Sequence, residues 1–170
     1  MNYNFKIADL SQNYSIKQFT ENDIPQIYSL AKMNTTYYKY MNLEPTYENI
    51  KEVITSLPKN KTLEDKFFLG FYHDNHLVAI LDLILKYPNE DTAFIGWFMM
   101  NKEFQHKGVG TKIVTDIFSC LKENDFFYIR LGYIKENNES KNFWIKNGFT
   151  PTKLEIQNEN YVIVVMERKL

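Results

Sequence analysis

The sequence predicts an α+β fold: a single domain whose mixed central sheet of about seven strands is flanked by about four helices. Three observations carry this. Short runs rich in β-branched and aromatic residues recur along the chain, four stretches place apolar residues three and four apart, and tight-turn residues separate the runs. In order they read strand, two helices, three antiparallel strands, helix, strand, helix and two strands. At 170 residues the chain has the size of one domain. With no internal repeat, low-complexity tract or Pro/Gly/Ser linker, residues 1–170 are assigned to one domain with its core at about 14–168.

Each element has its own signal. "YSIKQF" (14–19) alternates as a short strand, and Thr20 with Asp23 three residues later opens a helix carrying Ile24, Ile27, Tyr28 and Ala31. In "EPTYENIKEVITSLP" (44–58), Thr46 caps a second helix with Ile50, Val53, Ile54 and Leu57 on one face, stopped before Pro58. "KFFLGFY" (66–72) and "HLVAILDLILKY" (76–87) form a hairpin, and "YPNED" turns the chain into "TAFIGWFMMN" (92–101). Residues 109–123 place Ile113, Val114, Ile117, Phe118 and Leu121 on one helical stripe. "FFYIRLGYI" (126–134) is a strand, and "NNESKNFWIKNGF" (137–149) is an Asn-capped helix ending at Gly148. "TKLEIQ" (152–157) and "YVIVVMERK" (161–169) close the chain as a hairpin around "NEN".

Composition excludes several classes. Hydrophobic content of 44%, with 12 Tyr, 13 Phe and 2 Trp, indicates a packed core rather than disorder. No apolar run is long enough to cross a bilayer, and "MNYNFKIADLSQN" has no apolar signal-peptide segment, so we expect a cytoplasmic protein with no membrane partner. Cys120 is the single cysteine, which excludes an internal disulfide and a cysteine zinc site; its helical spacing predicts a core position. The net charge of −1 without a Lys/Arg run argues against a nucleic-acid partner. His73, His76 and His106 have no metal-ligand spacing, so no metal is expected.

The segment "NKEFQHKGVGTKIVTDIF" (101–118) sets a basic, glycine-punctuated loop before a helix. A helix N-terminus presents unpaired N–H groups and partial positive charge, which suits a phosphate. The same glycines also serve a tight turn needing positive φ. The loop does not match G-x-x-x-x-G-K-[ST], and Ile113 stands where a dinucleotide fingerprint has its third glycine, which disfavours a nucleotide-binding domain.

What remains is Q/R-x-x-G-x-G/A, present as Gln105-His106-Lys107-Gly108-Val109-Gly110. Here the chain resembles the GNAT superfamily of acetyl-CoA-dependent N-acetyltransferases. "NNESKNFWIKNGF" is similar to that family's N-x-x-[AS]-x-x-F-[YW]-x-x-x-G-F segment and follows the next strand, as it does in the family. The two signatures cover about residues 92–150, and residues 1–13 have no counterpart. The resemblance implies that Phe98, Met99 and Met100 offer backbone groups to the pantetheine arm. It further implies that Gln105, His106, Lys107, Gly108, Val109, Gly110 and Thr111 bind the pyrophosphate, and that Asn137, Ser140 and Phe143 line the other side of the coenzyme. The strands on either side of the coenzyme loop and helix splay apart in the family, and the arm fills the gap. A homodimer is also compatible with the family.

The implied reaction transfers an acetyl group from acetyl-CoA to a primary amine, with a small-molecule acceptor favoured over a protein. An amine of pKa about 10.4 is almost wholly protonated at neutral pH, so the site needs a proton acceptor and a donor for the departing thiolate. Asp82 interrupts the apolar run "VAILDLILK", where a carboxylate is costly unless paired or used, and is the candidate base or amine-binding group. Glu44 and Glu48 are rival anionic groups. Trp144 stands where many relatives carry the donor Tyr, so Tyr133 or a water takes that role. Tyr37, Tyr38 and Tyr40, with Tyr47, are candidates for an aromatic acceptor wall, or for simple packing. The missing Tyr motivates an alternative from another class, a non-catalytic acyl-CoA-binding sensor.

Overall fold

In the computed structural model, which describes residues 6–170, seven strands form one sheet in the order β1-β2-β3-β4-β5-β7-β6. They are β1 Ser15–Gln18, β2 Lys66–His73, β3 His76–Ile84, β4 Thr92–Met100, β5 Tyr128–Ile134, β6 Thr150–Gln157 and β7 Val162–Lys169. The β4–β5 pair is parallel and every other pair antiparallel, so the sheet is mixed as the sequence predicts.

Five α-helices pack on it: α1 Ile24–Met33, α2 Thr35–Met41, α3 Tyr47–Thr55, α4 Val109–Glu123 and α5 Asn138–Lys146. The extra helix is α2, formed by the tyrosine-rich segment that carries no apolar stripe. It stops at Asn42, whose φ of 52° lies in the left-handed region that asparagine tolerates. The remaining caps follow the local chemistry. Thr46 Oγ1 accepts from Asn49 N–H at 3.1 Å to start α3, and Gly148 ends α5 at φ 83°. Ahead of α1, Asp23 Oδ2 accepts from Thr20 N–H at 2.9 Å and from its hydroxyl at 3.1 Å, closing a reciprocal cap over one short 3-10 turn.

The two sheet faces bury separate apolar layers. Leu81, Leu83, Ile95, Leu131 and Met166 pack with the Ile113, Val114, Ile117 and Leu121 stripe of α4. Phe68, Ile80, Trp97 and Met99 pack with Ile27, Leu30 and Ala31 of α1 and Ile50 of α3. Cys120 is buried in the first layer. That layer begins earlier than the expected residue 14, because Leu10, in a 3-10 turn over 7–10, is fully buried there. Residues 1–5 lie outside the described residues. No helix among the described residues is long and apolar enough to cross a membrane.

Candidate active site

Two irregularities in the sheet shape the site. Strands β4 and β5 pair from Thr92/Tyr128 to Ile95/Leu131 and then part, while β4 runs on to Met100 and β5 to Ile134. The expected gap between the strands flanking the loop is therefore present. On the other edge of β4, Asp82 pairs with Trp97 and Leu83 with Ile95, so Gly96 is an extra residue in β4. Such a bulge bends a strand and redirects its side chains. Alternate N–H groups of β4 beyond Ile95 face the gap without a strand partner.

One mouth of the gap is the glycine loop. The first internal bond of α4 runs from Lys112 N–H to Gly108 C=O, leaving the N–H groups of Val109, Gly110 and Thr111 without helical partners. Gly108 adopts φ 77°, and nothing lies within 4 Å of the position a Cβ would take. The loop therefore offers free donors around open space, which fits a pyrophosphate. A cavity of about 540 Å³ extends from it, lined by Phe98, Met99, Met100, Gln105, His106, Gly108, Gly110, Thr111, Asn137, Ser140 and Phe143. Lys102 and Lys146 add positive charge at its rim. Lys107 is exposed and, like Val109, contributes no side chain to this cavity. Gln105 Nε2 donates to Asn34 Oδ1 at 2.8 Å and to Met100 C=O at 3.2 Å, which ties the loop to the junction of α1 and α2. Asn137 also caps α5, accepting from Ser140 N–H at 3.0 Å.

On the other side of the gap lies a cavity of about 430 Å³, adjoining another of about 570 Å³ beneath α2 and α3. These two share Tyr37, Met41, Tyr87, Phe94, Gly96 and Trp97. The loop-side and opposite cavities meet at Tyr37, Phe98, Asn137, Ser140 and Trp144, all of which line both. Trp144 itself is buried, edge-on to Phe98, Phe143 and Phe149.

Asp82 is 5% exposed and lines the cavity beneath α2 and α3. Lys66, itself buried, sets Nζ 2.8 Å from Oδ2 and 2.7 Å from Oδ1; only the first contact has hydrogen-bond geometry. Burial pushes the Asp82 carboxyl above its ordinary value and outweighs the opposing pull of Lys66. Its carboxylate lies against the backbone of Gly96, where a Cβ would stand only 2.5 Å from Oδ2. A glycine at the bulge is thus what admits Asp82.

The sequence model of the acetyltransferase (GNAT) family matches residues 27–149. The chain belongs to this GNAT family. It is accordingly an acyltransferase, and its fold is shared with solved GNAT structures. An acetyltransferase from Thermus thermophilus superposes with a TM-score of 0.75 at 17% identity, covering 93% of this chain and 97% of that one. The PaiA N-acetyltransferase from Thermoplasma acidophilum, in complex with coenzyme A, gives 0.66 at 20% identity, covering 92% and 99%. AAC(6')-Ib in complex with ribostamycin and coenzyme A gives 0.70 at 15% identity, covering 93% and 94%. No curated protein matches the chain in sequence.

Within this GNAT fold the anticipated residues divide by side of the gap. The expected coenzyme residues other than Lys107 and Val109 line the loop-side cavity. Tyr133 lines the opposite cavity and is 6% exposed; burial and nearby Glu155 raise its phenol, Lys135 pulling the other way. Tyr37 lines all three cavities, Tyr38 the one beneath α2 and α3, and Tyr40 none of them. Burial pushes Tyr38 up to about 12 and raises Tyr37 as well, with Tyr38 and Tyr161 adding to the latter shift. Glu44 and Glu48 line none of these cavities. The residues that sequence reasoning missed are Lys66, Asn34, Trp97 and Tyr161.

Proposed function

We propose that this GNAT protein moves an acetyl group from acetyl-CoA to a primary amine of a small-molecule acceptor by direct attack. The observation that carries the reading is the junction of two cavities at the unpaired gap between β4 and β5. A coenzyme lying along the loop-side cavity reaches the gap with its thioester, and an amine entering from the opposite cavity meets it there. The AAC(6')-Ib complex with ribostamycin and coenzyme A supports a small-molecule acceptor.

In this reading the amine nitrogen forms a bond to the thioester carbon, the C–S bond breaks, and the nitrogen gives up a proton as the thiolate gains one. Unpaired N–H groups of β4 stabilise the oxyanion. Asp82 takes the amine's proton directly or through water, its raised affinity for a proton making it a better base near neutrality than an ordinary carboxylate. Tyr37 lies nearer the thiolate than Tyr133 because it lines both cavities, but burial raises both phenols and weakens each as an acid, so the thiolate takes its proton through water.

The test is release of free thiol from acetyl-CoA across a panel of primary amines, with each acetylated amine identified by mass spectrometry. Amine-dependent release supports the reading. Tight acetyl-CoA binding with no turnover of any amine would instead favour the sensor.

A further inference from the structure

The two acceptor-side cavities differ in charge: the one beneath α2 and α3 is lined by the carboxylates of Asp82 and Glu52, the other by none. Among the described residues, Arg130 is the one charged side chain lining the 430 Å³ cavity. Arg130 Nε donates to Glu167, which does not line the cavity, and its two terminal nitrogens carry no hydrogen bond among the described residues. A second donor, Trp97 Nε1, is buried without a partner among the described residues, and Trp97 lines both acceptor-side cavities. Buried polar groups are nearly always satisfied, so this orphaned indole N–H adds unspent donor capacity to the wall of these cavities.

Register places these groups on one face of the sheet, along two adjoining cavities. Ile84, Phe94, Arg130 and Glu167 form a cross-strand row, and in-register neighbours project from the same face. Asp82 lies two residues from Ile84 on that face, so Asp82, lining the cavity beneath α2 and α3, and Arg130, lining the one next to it, flank β4 from opposite sides. Arg130 pairs one rung before the strands part, and Gly132 beyond it is unpaired with β4. At about 3.3 Å per residue the guanidinium starts roughly 7 Å from the gap, within reach of a carboxylate that sits beside the reacting amine. Met41, Tyr87 and Phe94 supply an apolar floor between the two charges.

We infer that the acceptor is an apolar or aromatic α-amino acid, its carboxylate held by Arg130 and its amine turned toward Asp82. This rests on the acyl transfer proposed above and narrows its acceptor. A polyamine would bury several positive charges against Asp82, already paired with Lys66, and the exposed Glu52.

The experiment compares kcat/KM of the full chain for L-phenylalanine, L-leucine and L-methionine with that for phenethylamine, L-phenylalaninamide and spermidine, with acetyl-CoA as donor. The carboxylates are expected to be preferred by about tenfold or more, as loss of a charge-assisted hydrogen bond implies. Arg130→Gln narrows that ratio toward one, mainly through KM, and Arg130→Lys restores part of it. Equal or better use of phenethylamine, the amide or spermidine would overturn the inference, as would an Arg130→Gln variant that melts like wild type and keeps the full preference. If Arg130→Gln fails to fold, the wild-type ratio decides alone. Coenzyme binding without turnover of any amino acid overturns this inference. Absence of coenzyme binding removes the acyl-transfer reading beneath it, so the two failures are distinguishable.

Discussion

Gly108 and the Lys66–Asp82 pair are the residues on which the site most depends. At Gly108 a side chain would occupy the open cradle and adopt φ 77°, which L-residues resist. Gly108→Glu fills the cradle and charges it against a phosphate. We predict a loss of acetyl-CoA affinity of about a hundredfold or more, about 2.8 kcal/mol, measured by titration calorimetry; unchanged affinity would remove the loop from the site. Removing one partner of a buried ion pair leaves the other charge uncompensated. Lys66→Met is therefore predicted to cost about 3–5 kcal/mol in urea denaturation, and the double variant Lys66→Met with Asp82→Leu to recover most of it. Asp82→Asn should depress amine-dependent turnover more than coenzyme affinity. It should also erase an acidic limb in kcat/KM lying above the ordinary carboxylate range, the direction in which burial moves this group. Wild-type turnover in that variant would make Asp82 purely structural. Asp82 stood out in the sequence as a charge inside an apolar strand, but its partner did not. A register shift at Phe71/Tyr72 moves the β2–β3 pairing by one residue, which decides whether Lys66 shares a face with Asp82, and nothing in the turn residues announces it.

Among the elements, those specified by neighbouring residues were legible. The Thr20–Asp23 and Thr46–Asn49 caps, the α4 stripe and the Gly148 stop each depend on side chains within four positions of one another. Helix α2 was not legible, because its seven residues carry polar and aromatic groups without a stripe, and Tyr37 finds its place only against Trp97 and the gap. The α1 cap yields a prediction with a pH signature. Burial raises the Asp23 carboxyl, but bonds from Lys17 and from the Thr20 N–H and hydroxyl together hold it below the usual carboxylate range. A group with a lowered folded-state value stabilises above its unfolded value and loses that contribution as pH falls through the folded one. Asp23→Ala should therefore cost about 1 kcal/mol at neutral pH, and its cost should shrink below about pH 4. Denaturation curves at pH 7 and about pH 2.5 check this, and a pH-independent cost would contradict it.

For the whole molecule, function depends on one departure from regular pairing. The sheet is continuous from β1 to β6, yet β4 and β5 share only four rungs, and the cavities on either side of the gap share lining residues there. The gap was foreseeable only through the resemblance carried by the two signatures, since element order by itself implies no break between β4 and β5. The chamber opposite the loop was less visible. Its walls come from residues as far apart as Tyr37, Trp97, Arg130 and Tyr161, assembled by packing alone. Thermal unfolding with acetyl-CoA, CoA, ATP and NAD at equal concentrations tests the central claim most directly, because all four carry phosphates and only the first two carry a pantetheine arm for the gap. A ligand at a hundredfold its Kd adds about 2.7 kcal/mol, a Tm rise of roughly 5–10 °C for a chain of this size. The structure predicts that rise for acetyl-CoA and CoA and little change with ATP or NAD; stabilisation by ATP or NAD equal to that by CoA, or none by CoA, would contradict it.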